Sequence, residues 1–114
     1  MINDNFWPMF GTTGNFYTNG QTVTANAGVL INGGSVNING GTLNVTAGIA
    51  VGIVNGLPGT VNFSSGTLNA DAVTVGTNTV GFYGTFNHSG GTANIGNLLI
   101  NNTTTASVYT CTGS

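Results

Sequence analysis

The side chains best suited to acid–base, nucleophilic or metal chemistry in this sequence are Asp4, Asp71, His88 and Cys111, and they lie far apart along the chain. Hydrolysis by paired carboxylates needs two acids facing one bond. Asp71 stands without an acidic or basic neighbour in sequence. A calcium site needs several oxygen ligands, carboxylates among them. The calcium-binding solenoid pattern GGxGxD lacks its Asp here. Cys111 is the one cysteine, so an internal disulfide is impossible, which leaves a thiol or a bond between molecules. His88 is the one imidazole, and it occupies a position that Thr18, Ile38 and Phe63 hold elsewhere in a repeat described below. That favours a packed imidazole, satisfied by backbone, over a ligand. The chain has no Lys and no Arg. Phosphate-contacting nucleic-acid binding needs those cations, and so does attraction to an anionic membrane surface. Lys–Asn isopeptide staples are excluded for the same reason. The expectation is a protein that is not an enzyme, with no cofactor, no metal and no nucleic-acid partner.

What positions these residues is a repeat. Residues 14–32 read GNFYTNGQTVTANAGVLIN, 34–52 GSVNINGGTLNVTAGIAVG, 59–76 GTVNFSSGTLNADAVTVG and 84–101 GTFNHSGGTANIGNLLIN. The starts at Gly14, Gly34, Gly59 and Gly84 are offset by 20, 25 and 25 residues. The additional residues of the longer repeats, around IVNGLPG and TNTVGFYG, carry turn chemistry. Apolar residues alternate with period two, so each repeat is read as strands and not as helices. Strand one places Phe16, Val36, Val61 and Phe86 on one face, followed by Thr18, Ile38, Phe63 and His88. Strand two turns Val23, Leu43, Leu68 and Ala93 inward, then Ala25, Val45, Ala70 and Ile95. Strand three contributes Val29/Ile31, Ile49/Val51, Val73/Val75 and Leu98/Ile100. Bulk is traded along a column, Leu68 with Ala70 becoming Ala93 with Ile95, as a filled interior requires.

Three such strands cannot bury their apolar faces alone. Stacked at about 4.8 Å, they form three parallel sheets around a continuous core. The expected fold is therefore all-β, a β-solenoid (parallel β-helix) with three strands per coil and about 4–5 coils of 20–25 residues. The coils would be 14–33, 34–58, 59–83, 84–106 and a partial 107–114, SVYTCTGS, after an N-terminal segment, 1–13. An antiparallel β-sandwich is the competing reading, since it also has short strands and turn signals. No run of apolar residues is long enough to span a membrane. MINDNFWPMF has neither the basic nor the apolar region of a signal peptide. A soluble chain is expected, or the mature part of an exported one.

Outward positions align as well. Strand two shows Thr22, Thr42, Thr67 and Thr92, then Thr24, Asn44, Asn69 and Asn94; strand one shows Asn37, Asn62 and Asn87. Stacked Asn and Thr side chains stabilise parallel sheets by hydrogen bonding along the axis. The alternative is recognition by Thr42, Asn44, Thr67, Asn69, Thr92 and Asn94, of sugar hydroxyls or, more remotely, of ice. N-glycosylation acceptor patterns occur at Asn44, Asn62, Asn87, Asn101 and Asn102.

At GTVNFSSGTLNADAVTVG and GTFNHSGGTANIGNLLI the chain resembles the "GTFxxSGGTLNxxxLxVG" repeats of bacterial secreted and cell-surface β-solenoid proteins, autotransporter passengers among them. The resemblance runs from Gly14 onward. It implies an extracellular or cell-surface setting and a role in fibres, coats or adhesion, and it carries over no catalytic residue. The acidic clusters and basic residues of solenoid polysaccharide lyases and pectinases are missing. Phe6, Trp7, Met9 and Phe10, grouped around Pro8, fall outside the repeat. They read either as a cap on the first coil or as a docking segment, since aromatics and Met are enriched at interfaces. With Val108, Tyr109 and Cys111 of the last partial repeat they form the expected surface for head-to-tail self-assembly. The leading expectation is an extracellular filament subunit. The alternative is an adhesin-type module that shows its Thr/Asn columns to glycans.

Overall fold

The computed structural model describes residues 15–53, 58–77, 82–101 and 107–112. All regular structure among them is β-strand: β1 (Asn15–Tyr17), β2 (Thr22–Ala25), β3 (Val29–Ile31), β4 (Ser35–Val51), β5 (Gly59–Val75), β6 (Gly84–His88), β7 (Thr92–Ile100) and β8 (Val108–Cys111). Every pairing between them is parallel. An antiparallel sandwich is thereby ruled out.

The pairings join equivalent positions of successive repeats. β1, β2 and β3 lie in turn along β4, with Phe16 opposite Val36, Val23 opposite Leu43 and Val29 opposite Ile49. β4 lies along β5 over its whole length. β6 and β7 then lie along β5, with Phe63 opposite His88 and Leu68 opposite Ala93. β8 lies on β6, with Tyr109 opposite Phe86 and Cys111 opposite His88. A one-residue slip anywhere would exchange the inner and outer faces, so this register keeps the apolar columns intact.

β4 and β5 are each one strand of 17 residues where three separate strands were expected. Laid straight, 17 residues would run about 56 Å at roughly 3.3 Å each, while the molecule is 35 Å in its longest dimension. Each strand therefore bends, and the bends sit at the register shifts between Ile38 and Thr42 and between Val45 and Gly48. Gly41 shows what the first corner demands. It has φ of +76° and lies against the backbone of Gly20 and Gln21, where a side chain has no room. The corners of β4 and β5 stack on each other and keep their backbone pairing, for instance Asn39 with Ser65. That is why the strands run unbroken there and break in the first and last repeats.

The inner columns form one core, with Ile38, Leu43, Val51, Val61, Phe63, Leu68, Val73, Val75 and Phe86 fully buried. Burial of each such side chain contributes about 2 kcal/mol. The last repeat departs from expectation. Ala93 and Ile95 are half-buried, and Leu98 and Ile100 are exposed, although they occupy the columns of Val73 and Val75. Their face is the inner one, and β7 pairs with β5 alone among the described strands. At the other end of the stack β3 likewise pairs with β4 alone, yet Val29 and Ile31 are fully buried.

Candidate functional site

Two regions bring polar chemistry together. The first is the inner side of β6 and β8. His88, at 9% exposure, stacks on Phe63 with ring centroids 4.6 Å apart. Its Nε2 lies 3.2 Å from the Gly91 carbonyl. A carbonyl only accepts, so Nε2 carries the proton and Nδ1 is the acceptor of the neutral ring. The Tyr109 hydroxyl donates to Nδ1 at 3.1 Å, and the Cys111 Sγ lies 3.8 Å from the same atom. Tyr109 in turn stacks on Phe86 at 4.5 Å. Burial, and secondarily the neighbouring Cys111, push the Tyr109 phenol above its usual value of 10.0. Cys111 itself is exposed. Sequence reasoning anticipated a packed imidazole but missed the Tyr109–His88–Cys111 contact. The signal was present: extending the repeat alignment to Ser107 sets Tyr109 over Phe86 and Cys111 over His88.

The second region is the outer side of strand two. Asn94 Nδ2 donates to Asn69 Oδ1 at 2.8 Å, Asn69 Nδ2 to Asn44 Oδ1 at 2.8 Å, and Asn44 Nδ2 to Thr24 Oγ1 at 3.4 Å. A second amide ladder climbs strand one, from Asn87 to Asn62 at 3.1 Å and from Asn62 to Asn37 at 3.0 Å. Asn37 Nδ2 ends it on the Phe16 carbonyl and the Ser35 hydroxyl. Both ladders run in one direction, each amide donating to the repeat before it. The strand-two ladder differs in its setting: Asn44, Asn69 and Asn94 line a shallow, open groove of about 330 Å³ together with Val45, Thr46, Ala70 and Asp71. Asp71 is exposed, and Gly96 beside it has no side chain to cover the carboxylate. Among the described residues no group of three His, Cys, Asp or Glu is gathered as a metal site would require.

The remaining expected residues are placed as follows. Thr42 and Thr67 are half-buried and Thr92 is exposed, all three in register on strand two. Val108 is exposed at 40% and Tyr109 half-buried. Of the acceptor asparagines, Asn44, Asn62 and Asn87 use Nδ2 in the ladders, the atom to which a glycan would be joined, and Asn101 Nδ2 donates to the Gly76 carbonyl at 2.9 Å. Phe6, Trp7, Met9, Phe10 and Asn102 lie outside the described residues. One further side chain was not anticipated. Asn32 is buried and accepts from the Ile53 amide at 2.8 Å, yet its Nδ2 has no hydrogen-bond partner.

Comparison of the chain with protein-family models, curated proteins and solved structures returns no match. The functional reading rests on the geometry and on the repeat.

Proposed function

We propose that this chain is a structural unit of an extracellular filament, built as a β-solenoid whose coils continue from one molecule into the next. The observation that carries this reading is the far side of β7. Leu98, Leu99 and Ile100 are exposed there at 47%, 54% and 37%, on a strand whose far edge has no strand partner among the described residues. An uncharged, apolar, open edge is a template for another strand. Within the chain each parallel repeat already uses the one before it in this way. No Lys or Arg is present to repel a neighbour.

At the opposite end the inward Ala25, Val29 and Ile31 are fully buried, so the open apolar strip belongs to β7 alone among the described strands. β2 and β3 pair only with β4 among the described strands. Asn101 shows the geometry of an amide at this corner, donating back to the preceding repeat at Gly76. Asn32 holds the same place in the first repeat, and its Nδ2 lacks such an acceptor. A buried unsatisfied donor costs about 1–3 kcal/mol. In the proposed stack, β8 supplies strand one of the junction coil. The segment before β1 of the next molecule covers β7, with Phe6, Trp7, Met9 and Phe10 on the apolar strip, and Val108, Tyr109 and Cys111 beside the junction. The extracellular setting comes from the likeness of the repeats to those of secreted proteins.

Electron microscopy with light scattering tests this. The full chain should form unbranched filaments as concentration rises, and deletion of residues 1–10 should shorten or abolish them while the far-UV β signal stays. A chain that remains monomeric at the highest concentration reached overturns the proposal.

A further inference from the structure

We infer that the strand-two groove is a binding site for a neutral, linear glycan lying along the stacking direction, with Asn44, Asn69, Asn94 and Asp71 as the recognising residues. The argument begins with what the ladder leaves over. A primary amide has two N–H donors and two acceptor lone pairs. Asn69 spends one N–H on Asn44 and one lone pair on Asn94. One donor and one acceptor remain, on an amide that the ladder holds in place. Asn44 has the same surplus, since it donates to Thr24 and accepts from Asn69. Asn94 keeps its oxygen and one N–H.

The site therefore presents a donor–acceptor pair at each of three successive repeats, spaced by the separation of neighbouring parallel strands, about 4.8 Å. A sugar hydroxyl both donates and accepts, so each pair matches one hydroxyl or two neighbouring ones. A chain of end-to-end linked pyranose rings advances by a comparable step and meets the pairs in series. The amides are held before a ligand arrives, which reduces the ordering cost of binding.

Charge selects the class. Asp71 is acceptor-only and takes hydroxyl donors, and it repels an anionic glycan. The chain contains no Lys or Arg to offset that repulsion. A bound hard cation would need further carboxylates, and no such group surrounds Asp71 among the described residues. The strand-one ladder provides the contrast. Among the described residues it has no neighbouring carboxylate, and both N–H groups of its first amide, Asn37, are spent on the Phe16 carbonyl and Ser35. Asn62 keeps the same surplus as Asn69, so what sets the strand-two ladder apart is Asp71 beside it and the unspent N–H of its first amide, Asn44.

The inference is independent of filament formation and is tested by titration calorimetry on the full chain, assembled or not. The probes are cellohexaose and mannohexaose, with sulfated cellohexaose as the anionic counterpart. At least one neutral hexasaccharide should bind. Asn69→Ala and Asp71→Ala should each weaken it by about tenfold, the scale of one well-made hydrogen bond. Asn62→Ala, which breaks the other ladder equally, should leave affinity within about twofold, so a merely structural role for the amides would show as equal losses. Asp71 is exposed, so its variant reports on binding even if Asn69→Ala disturbs the fold. No binding of either neutral probe, preference for the sulfated one, or equal weakening by Asn62→Ala overturns the inference.

Discussion

β5 and β7 carry closely similar residues in register and meet different fates. Thr67–Val75 reads TLNADAVTV and Thr92–Ile100 reads TANIGNLLI. In β5 the inward Leu68, Val73 and Val75 are fully buried. In β7 the matching Ala93 is half-buried, while Leu98 and Ile100 stand at 47% and 37% exposure. Leu98 is no less apolar than Val73. β5 is flanked by β4 on one side and by β6 and β7 on the other, whereas β7 has β5 alone among the described strands. A single strand neighbour does not by itself expose a column, since Val29 and Ile31 of β3 pair with β4 alone among the described strands and are fully buried; the two ends of the stack differ in cover, not in residue type.

The sharpest way to break this comparison is to place the same charge on both strands. Leu68→Asp puts an unpaired carboxylate into the core, at a cost of several kcal/mol. Against a typical stability of about 5–15 kcal/mol, that should unfold the chain or leave it marginal, seen as loss of the far-UV β signal. Leu98→Asp should leave the melting temperature of the dilute chain nearly unchanged and suppress filaments at high concentration. Equal destabilisation by the two would mean that β7 is covered as β5 is.

A smaller effect is expected at the corner that bends the middle strands. Gly41→Val places a β-branched residue at φ of +76°, against the backbone of Gln21. It should cost at least about 2 kcal/mol, read as a lower denaturant midpoint. Gly20, also at positive φ, has nothing within 4 Å of where a side chain would begin. Gly20→Ala should therefore cost less than Gly41→Ala. The ranking separates steric packing between repeats from backbone preference alone.

The least disruptive probe is Tyr109→Phe. It retains the ring stacked on Phe86 and removes the hydroxyl bonded to His88. Loss of that bond should cost about 1 kcal/mol at neutral pH. The phenol's value is raised in the folded chain above the 10.0 of an exposed tyrosine, so the folded state holds this proton more tightly than the unfolded state. That contribution is complete below pH 10 and is lost as pH rises through the raised value. Denaturation across this range should show a fall in wild type that is shallower in Tyr109→Phe. Thr42→Ser, on the outer side of strand two, serves as the reference and should stay within about 0.5 kcal/mol.

Much of the architecture was legible from the sequence because it rests on a short-range rule applied four times. Period-two alternation assigns strands and faces, and the repeat offset assigns partners. Phe63 opposite His88 and Asn69 opposite Asn94 follow from alignment alone, and the register agrees. The amide ladders were legible for the same reason, since stacking equal residues brings equal side chains together.

What the sequence could not determine depends on angles and neighbours that no alignment contains. Gly and Ser mark the corners, but whether the backbone keeps its pairing around them depends on the repeats stacked on either side, and so β4 and β5 run as single bent strands. Asp71 looked isolated because its sequence neighbours are uncharged, yet the bend after strand two carries it into one groove with Asn44, Asn69 and Asn94. His88 read as one imidazole in an apolar column. Only the docking of β8 on β6 shows that its Nδ1 faces the Tyr109 hydroxyl and lies near the Cys111 thiol. In each case alternation determines which side of a strand a residue takes, and the curvature and stacking of whole repeats decide what it meets there.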